Sequence, residues 1–444
     1  MLAAFATLWE RIRDMPRFLY SAFFYLILPL VLLRLLWRGW RAPAYRDRIG
    51  QRFGFFEAPQ RQNGVWIHAV SVGESIAAAP VIEHFLAAYP HLPVVVTTMT
   101  PTGSERVTAM FGDRVFHVYA PYDLPDAVAR FLKRIKPSVA VIMETEIWPN
   151  MVCQTAAMGI PVILANARLS ARSARGYGRL SALTQSVFSR FSKVVAQSPD
   201  DGARFVMLGV PEENMTVSGS IKFDLAIPAA LRDQASALHE ACFGSRPVWI
   251  AASTHAGEDE ILLAAHRQLL NEQPDAVLIL VPRHPERFLK VAELVAASGF
   301  RYLRRSEYQN ECSAEGAQVI LGDTMGELLL LLGCADIAFV GGSLIEHGGH
   351  NTLEPAAWGL PVLTGPSDFN FAEISSLLEA SGGLIKVADS DALARELGAL
   401  LDDPERAENQ GAMAKQVVDA NRGALQRLLA VIEQALREHK SLKS

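Results

Sequence analysis

Residues 18–33 read FLYSAFFYLILPLVLL, sixteen positions without a charge, broken only by Pro29, and Leu35, Leu36 and Trp37 carry the apolar run past Arg34. At about 1.5 Å per residue this predicts a helix just long enough for a hydrocarbon core of roughly 30 Å. From residue 64 the pattern changes to short β-branched runs separated by amphipathic stretches. VWIHAV (65–70), VVVTT (94–98), VAVIM (139–143), PVILAN (161–166) and KVVAQ (193–197) predict buried strands, with helices over 76–89, 103–111 and 126–135. The pattern restarts with VWIAAS (248–253), AVLILV (276–281), QVILG (318–322), DIAFVG (336–341) and PVLTG (361–365). Strands separated by helices imply parallel βαβ units with right-handed crossovers. The expected fold is therefore α/β, with two Rossmann-like doubly wound domains facing a cleft and an N-terminal membrane-anchor helix. Residues 1–55 form the anchor and a basic juxtamembrane segment, 56–225 the first domain and 226–444 the second, with 218–247 as the hinge. Amphipathic helices over about 392–440 close the second domain.

Length and composition agree with that layout. A chain of 444 residues, 50% hydrophobic and 20% charged, supports more than one large core and excludes a disordered chain. No repeat of roughly 20–50 residues appears, which argues against a solenoid or propeller. Cys153, Cys242, Cys312 and Cys334 lie far apart without a CxxC pair, so neither a cysteine-ligated zinc nor a disulfide framework is expected. The net charge of −5 is uneven: residues 1–61 carry ten Arg, no Lys and four acids, or +6, leaving −11 on the rest. A basic head on an acidic body does not describe a nucleic-acid binder; it suits an anionic membrane surface. Arg residues flank the apolar run, and those following it place the body in the cytoplasm by the positive-inside bias. An uncleaved span is the expectation, and a helix lying on the surface is the alternative.

Ligands of doubly wound sheets bind beyond the carboxyl ends of the strands, so chemistry is sought in the loops that follow them. In HAVSVGES, Glu74 falls at or near a helix start, where it is either a capping acid or a general base. The loop has a single glycine and lacks the GxGxxG dinucleotide fingerprint. In METEIWPN, Glu144 and Glu146 flank Thr145, and in extended chain both carboxylates point the same way. They read as proton acceptors, metal ligands or partners of a base such as Arg168. Lys222 of GSIKFD lies at the hinge, either a surface lysine or a cation for developing negative charge. Arg283 and His284 of VPRHPER suit a phosphate or nucleotide, although Pro285 also suits a helix start. Finally, GGSLIEHGGHNTLEPAAW places glycines before a helix beginning near Thr352, a setting that leaves N–H groups for an anion, with Glu354 placed to meet ribose hydroxyls. Asp389-Ser390-Asp391 has the DxD spacing of some metal-using transferases but reads as a helix cap. With no HExxH among eleven histidines, metal-free catalysis is expected.

Taken together, HAVSVGES, METEIWPN, GSIKFD, PRHPER and EHGGHNTLEPAAWGLPVLTGP, in this order and with RIGQRFG before them, resemble the 3-deoxy-D-manno-octulosonic acid (Kdo) transferases of lipopolysaccharide synthesis. The similarity runs over nearly the whole chain. It implies an inverting glycosyltransferase of the GT-B architecture, without metal or cofactor, at the cytoplasmic face of the inner membrane. The implied reaction moves Kdo from CMP-Kdo to the tetraacyl lipid A precursor, lipid IVA. By that resemblance Glu74 is the catalytic base, and Glu144 and Lys222 stabilise the transition state. CMP is bound by Arg283, His284, Met325, Gly326, Glu327, Asn351, Thr352, Leu353 and Glu354. Partners are then CMP-Kdo, lipid IVA and inner-membrane lipid, with no nucleic acid. Alternatives are a related transferase using a UDP-sugar on a lipid, and a non-catalytic membrane-tethered scaffold.

Overall fold

A computed structural model describes residues 2–307 and 316–441; Cys312 lies outside the described residues. The chain divides into two compact units, Met1–Ile221 together with Gly423–Ser444, and Lys222–Arg422. The first holds a seven-stranded sheet: β1 (Val65–His68), β2 (Val94–Thr98), β3 (Phe116–Tyr119), β4 (Val139–Met143), β5 (Val162–Ala167), β6 (Lys193–Ala196) and β7 (Met215–Val217), in the order β3-β2-β1-β4-β5-β6-β7. The second holds another: β8 (Val248–Thr254), β9 (Val277–Pro282), β10 (Tyr302–Arg304), β11 (Val319–Leu321), β12 (Ile337–Val340), β13 (Val362–Thr364) and β14 (Leu384–Lys386), in the order β10-β11-β9-β8-β12-β13-β14. Every pairing is parallel. Central strands such as β1, β4 and β8 are buried throughout, because helices cover both faces and no side can face water.

Strand order reverses direction between β1 and β4 in the first sheet and between β8 and β12 in the second. Doubly wound sheets take their ligands beyond the carboxyl ends of the strands at such a reversal. The loops HAVSVGES, METEIWPN and GGSLIEHGGHNTLEPAAW singled out in the sequence follow β1, β4 and β12. Each therefore stands at a reversal point.

Two features depart from expectation. The helix Ala424–Ser441, expected in the second domain, belongs to the first unit. Its apolar stripe Ala424, Leu428, Leu429, Ile432, Ala435 and Leu436 joins the core formed by Val65, Ile67, Val139, Val141 and Phe85. The expected hinge over 218–247 also contains a regular helix, Ala229–Cys242, whose buried Ala235 and Cys242 belong to a core of the second unit. The change of unit falls at Ile221 and Lys222.

The N-terminal helix α1 (Leu2–Arg41) is apolar over 15–41, with mean hydropathy 2.1 in its best window. One side is docked on the first unit. Phe24, Leu28, Val31 and Leu32 pack with Phe53, Met99, Tyr122, Leu124 and Ala127. Polar ties reinforce the contact: Asn150 Nδ2 donates to Ser21 Oγ at 3.1 Å, and the Tyr25 hydroxyl donates to Asp126 at 2.5 Å. The opposite side exposes Leu19, Phe23, Leu26, Leu30, Leu33, Trp37 and Trp40, a stripe at alternating spacings of four and three.

Candidate active site

In the first unit, Ser71 caps helix α2 (Val72–Ala88), and its Oγ accepts the Glu74 N–H at 3.3 Å. Glu74 reaches back: Oε2 accepts the Val70 N–H at 2.8 Å and Oε1 accepts the Ser71 hydroxyl at 2.7 Å. This reciprocal arrangement is a variant of the capping box in which the carboxylate takes the N–H one residue before the cap, so the capping reading of Glu74 holds. It does not exhaust the carboxylate, since each oxygen keeps a second lone pair. Burial pushes the Glu74 carboxyl up from its ordinary range, the Ser71 and Val70 bonds pull it down, and the charges of Glu146 and Glu144 add to the rise. The net shift is upward, as suits a group that takes and returns a proton.

β4 ends at Met143, and Glu144 adopts φ +53°, the left-handed region. The extended geometry expected for METE is therefore absent: the chain turns at Glu144, and the Ile147 N–H closes the turn on Thr145 O at 2.8 Å. A non-glycine residue held there carries strain of order 1–3 kcal/mol, which the surrounding fold sustains. Glu146 accepts the Trp148 indole N–H at 3.0 Å; burial raises its carboxyl and the Glu144 charge raises it further. Among the described residues neither acid forms an ion pair with Arg168. Three carboxylates thus face one another electrostatically beyond β1 and β4. Asn166, buried at the end of β5 with φ +51°, accepts the Ile221 N–H on Oδ1 at 3.2 Å and so fixes the entry to GSIKFD.

In the second unit, Lys222 is exposed on the turn Ile221–Phe223, with its ammonium 5.9 Å from the Phe371 ring centroid. Arg283 and His284 are exposed beyond β9, where Pro285 opens a short 3-10 turn before the helix Phe288–Ala297. Beyond β12, the expected anion cradle is already filled. Glu258, fully buried, accepts N–H groups from Gly342 at 2.7 Å, Ser343 at 3.0 Å, Leu344 at 3.0 Å and His255 at 3.3 Å. A Cβ on Gly341 would stand 2.8 Å from Ser253 O and 2.9 Å from Glu258 Oε2, so only glycine fits. The Gly348 and Gly349 N–H groups are taken by Ser367 Oγ and Gly342 O.

The helix after the glycines is short, Leu353–Trp358. Asn351 braces its start, accepting the Leu353 N–H at 3.2 Å and donating to Glu354 Oε1 at 3.1 Å. Burial raises the Glu354 carboxyl, while Asn351 and the charge of Arg283 hold it down. Thr352 Oγ1 is buried without a partner among the described residues, an acceptor and donor left over at this place. Arg283, Asn351, Thr352 and Glu354 are therefore brought together, with Leu353 packed into the core beneath. Met325 is exposed and Gly326 takes φ +85°, whereas Glu327 is engaged by Arg305 at 2.8 Å and by Thr324. Asp389 caps the helix Ser390–Asp402 through the Ala392 N–H at 2.8 Å, so the DxD is a cap.

Sequence reasoning missed Glu258, because a fully buried acid between a Gly and an Asp has no periodic signature. It also missed the gathering of His255, His347 and His350, whose ligand-capable atoms lie within 4.8 Å of one another.

Two parallel doubly wound sheets are the GT-B type of architecture, and the family model "Glycosyl transferases group 1" matches residues 245–417. Residues 47–225 match the model described as "3-Deoxy-D-manno-octulosonic-acid transferase (kdotransferase)". The chain is 47% identical to the 3-deoxy-D-manno-octulosonic acid transferase of Haemophilus influenzae, over 96% of this chain and 100% of that one. It is 36% identical to the protein of the same name from Bordetella pertussis, over 88% and 91% respectively. The chain belongs to the Kdo transferase family and is a glycosyltransferase. In fold alone it is similar to the UDP-GlcNAc 2-epimerase of Neisseria meningitidis, with TM-score 0.53 and 15% identity over 84% of this chain and 100% of that one. Fold therefore does not select the reaction; the loops do.

Proposed function

We propose that this protein transfers Kdo from CMP-Kdo to lipid IVA in lipopolysaccharide synthesis, by one displacement that inverts the anomeric carbon without metal or cofactor. The observation that carries the reading is the buried, proton-poised Glu74 carboxylate at the reversal point of the first sheet. Glu74 takes the acceptor hydroxyl proton as that oxygen bonds the anomeric carbon. The bond from carbon to the CMP phosphate breaks, and its electron pair leaves with CMP. Glu144 and Lys222 stabilise the charge that develops. Arg283, His284, Met325, Gly326, Glu327, Asn351, Thr352, Leu353 and Glu354 hold the donor, with Arg283 opposite phosphate and the unused Thr352 hydroxyl and Glu354 beside the nucleoside. Membership of the family supports the sugar; the leftover donors and acceptors around Thr352 support the site.

The docked face of α1 favours a helix lying in the inner-membrane surface over one that spans it. Contacts from Ser21 to Leu32 run along about 17 Å of helix axis. A span of roughly 30 Å would draw the attached surface, with Asp126 and Arg130, into hydrocarbon at a cost of several kcal/mol per charge. Lying flat, α1 buries its outer stripe in one leaflet and leaves Arg34, Arg38 and Arg41 for phosphate headgroups.

The test is an assay in detergent with CMP-Kdo and lipid IVA, following CMP release and acceptor mass. Wild type adds mass in Kdo units, Glu74→Gln loses at least about 100-fold in turnover while still binding donor, and EDTA changes neither. Turnover of a UDP-sugar in place of CMP-Kdo would replace the donor, and near-normal turnover in Glu74→Gln would remove the base.

A further inference from the structure

Three histidines converge in the second unit, one from the end of β8 and two from the EHGGH segment beyond β12. His255 follows β8 and is buried; His347 and His350 lie in the loop between β12 and the helix Leu353–Trp358. The Nε2 atoms of His255 and His350 stand 2.7 Å apart with their rings stacked at 4.9 Å and 10°. The His347 ring centroid lies 3.9 Å from that of His255. The loop is shaped to hold them: Gly342, Gly348 and Gly349 have φ of +70°, +94° and +72°, and a Cβ on Gly342 would approach the His350 ring to 3.1 Å. Glu258 pins the same stretch of backbone, including the His255 N–H.

Two arginines, Arg283 and Arg287, stand close enough for their charge to reach His255, and Arg283 reaches His350 as well. Arg287 is itself paired with Asp259. Arg283 is the remaining cation facing the cluster. It opposes a bare ion and favours one that carries an anionic oxygen.

We propose that His255, His347 and His350 form a binding site for one transition-metal ion of the Zn²⁺ class, with its fourth position open to water or an anionic oxygen. Zinc bonds imidazole nitrogen at about 2.0–2.1 Å, which sets tetrahedral ligand atoms roughly 3.3 Å apart. The close pair must part slightly and the wider separations, up to 4.8 Å, must close. The exposed His347 supplies most of that movement by turning its side chain. Nothing in the transfer chemistry above needs this ion, and the inference stands on the imidazoles whether or not that chemistry is right.

The experiment uses the full chain in detergent after chelator treatment and dialysis. Co²⁺ titration is followed by the visible bands of a four-coordinate ion, and Zn²⁺ by equilibrium dialysis with metal analysis. Wild type binds one equivalent of each. His347→Ala, at an exposed position that leaves the melting temperature unchanged, weakens binding roughly 100-fold or more, and His350→Ala does the same. His91→Ala, exposed in the other unit, binds as wild type does. Absence of a saturable equivalent in wild type, or equal binding by His347→Ala and wild type, overturns the site.

Discussion

At the residue scale, Glu74 shows how one carboxylate serves the fold and remains available for chemistry. Its capping bonds stabilise the ionised form, burial and two neighbouring acids destabilise it, and the balance lies above an ordinary glutamate. In its proposed role as base Glu74 works deprotonated, so activity should be full above that raised value and fall as pH drops through it. The acid limb of the kcat profile should therefore lie above the usual glutamate range and vanish in Glu74→Gln; an unshifted limb would place the titration elsewhere. Glu258 makes a separate prediction. Removing its carboxylate in Glu258→Ala leaves four N–H groups without that acceptor, three of them on buried residues. Denaturant titration should show a loss of at least about 3 kcal/mol, and a loss near zero would mean that water replaces the carboxylate. The two acids were not equally legible. Glu74 sits where a loop meets a helix and is visible as a cap, whereas Glu258 acts through backbone brought in from β12. The turn at Glu144 was hidden too, since nothing in METE announces a positive φ.

At the element scale, the sequence reading found β1, β2, β4, β5 and β6, and β8, β9, β11, β12 and β13. It passed over β3, β7, β10 and β14. Those four are the edge strands of the two sheets. Each has one neighbour and a partly solvated surface, as Phe116–Tyr119 and Tyr302–Arg304 show, so their side chains need not form an apolar run. Interior strands betray themselves because both faces are covered. Helix α1 carries the converse ambiguity, since apolar residues all round fit a span and a docked interfacial helix equally. The docked geometry predicts that both ends of α1 lie on one side of the membrane. In inverted inner-membrane vesicles, a protease added outside should remove an epitope placed at the N-terminus; protection of that epitope would establish a span.

At the scale of the whole molecule, the helix Ala424–Ser441 packs into the core built by the first half of the chain. Its large aliphatic residues Leu428, Leu429, Ile432 and Leu436 contribute about 1.5–3 kcal/mol each on burial, together comparable with the stability of a domain. A chain ended at Arg422 should lose the first unit's cooperative melting and become open to limited proteolysis, while unaltered melting would show that the helix is dispensable. Because Lys222–Arg422 is an insertion between two parts of one unit, order of synthesis and order of folding diverge. The first sheet leaves the ribosome early but cannot seal its core until the last residues follow, whereas the inserted unit is complete as soon as it emerges. Unit by unit, this chain should fold during translation from the middle outward, with the first unit unsealed until the helix Ala424–Ser441 emerges.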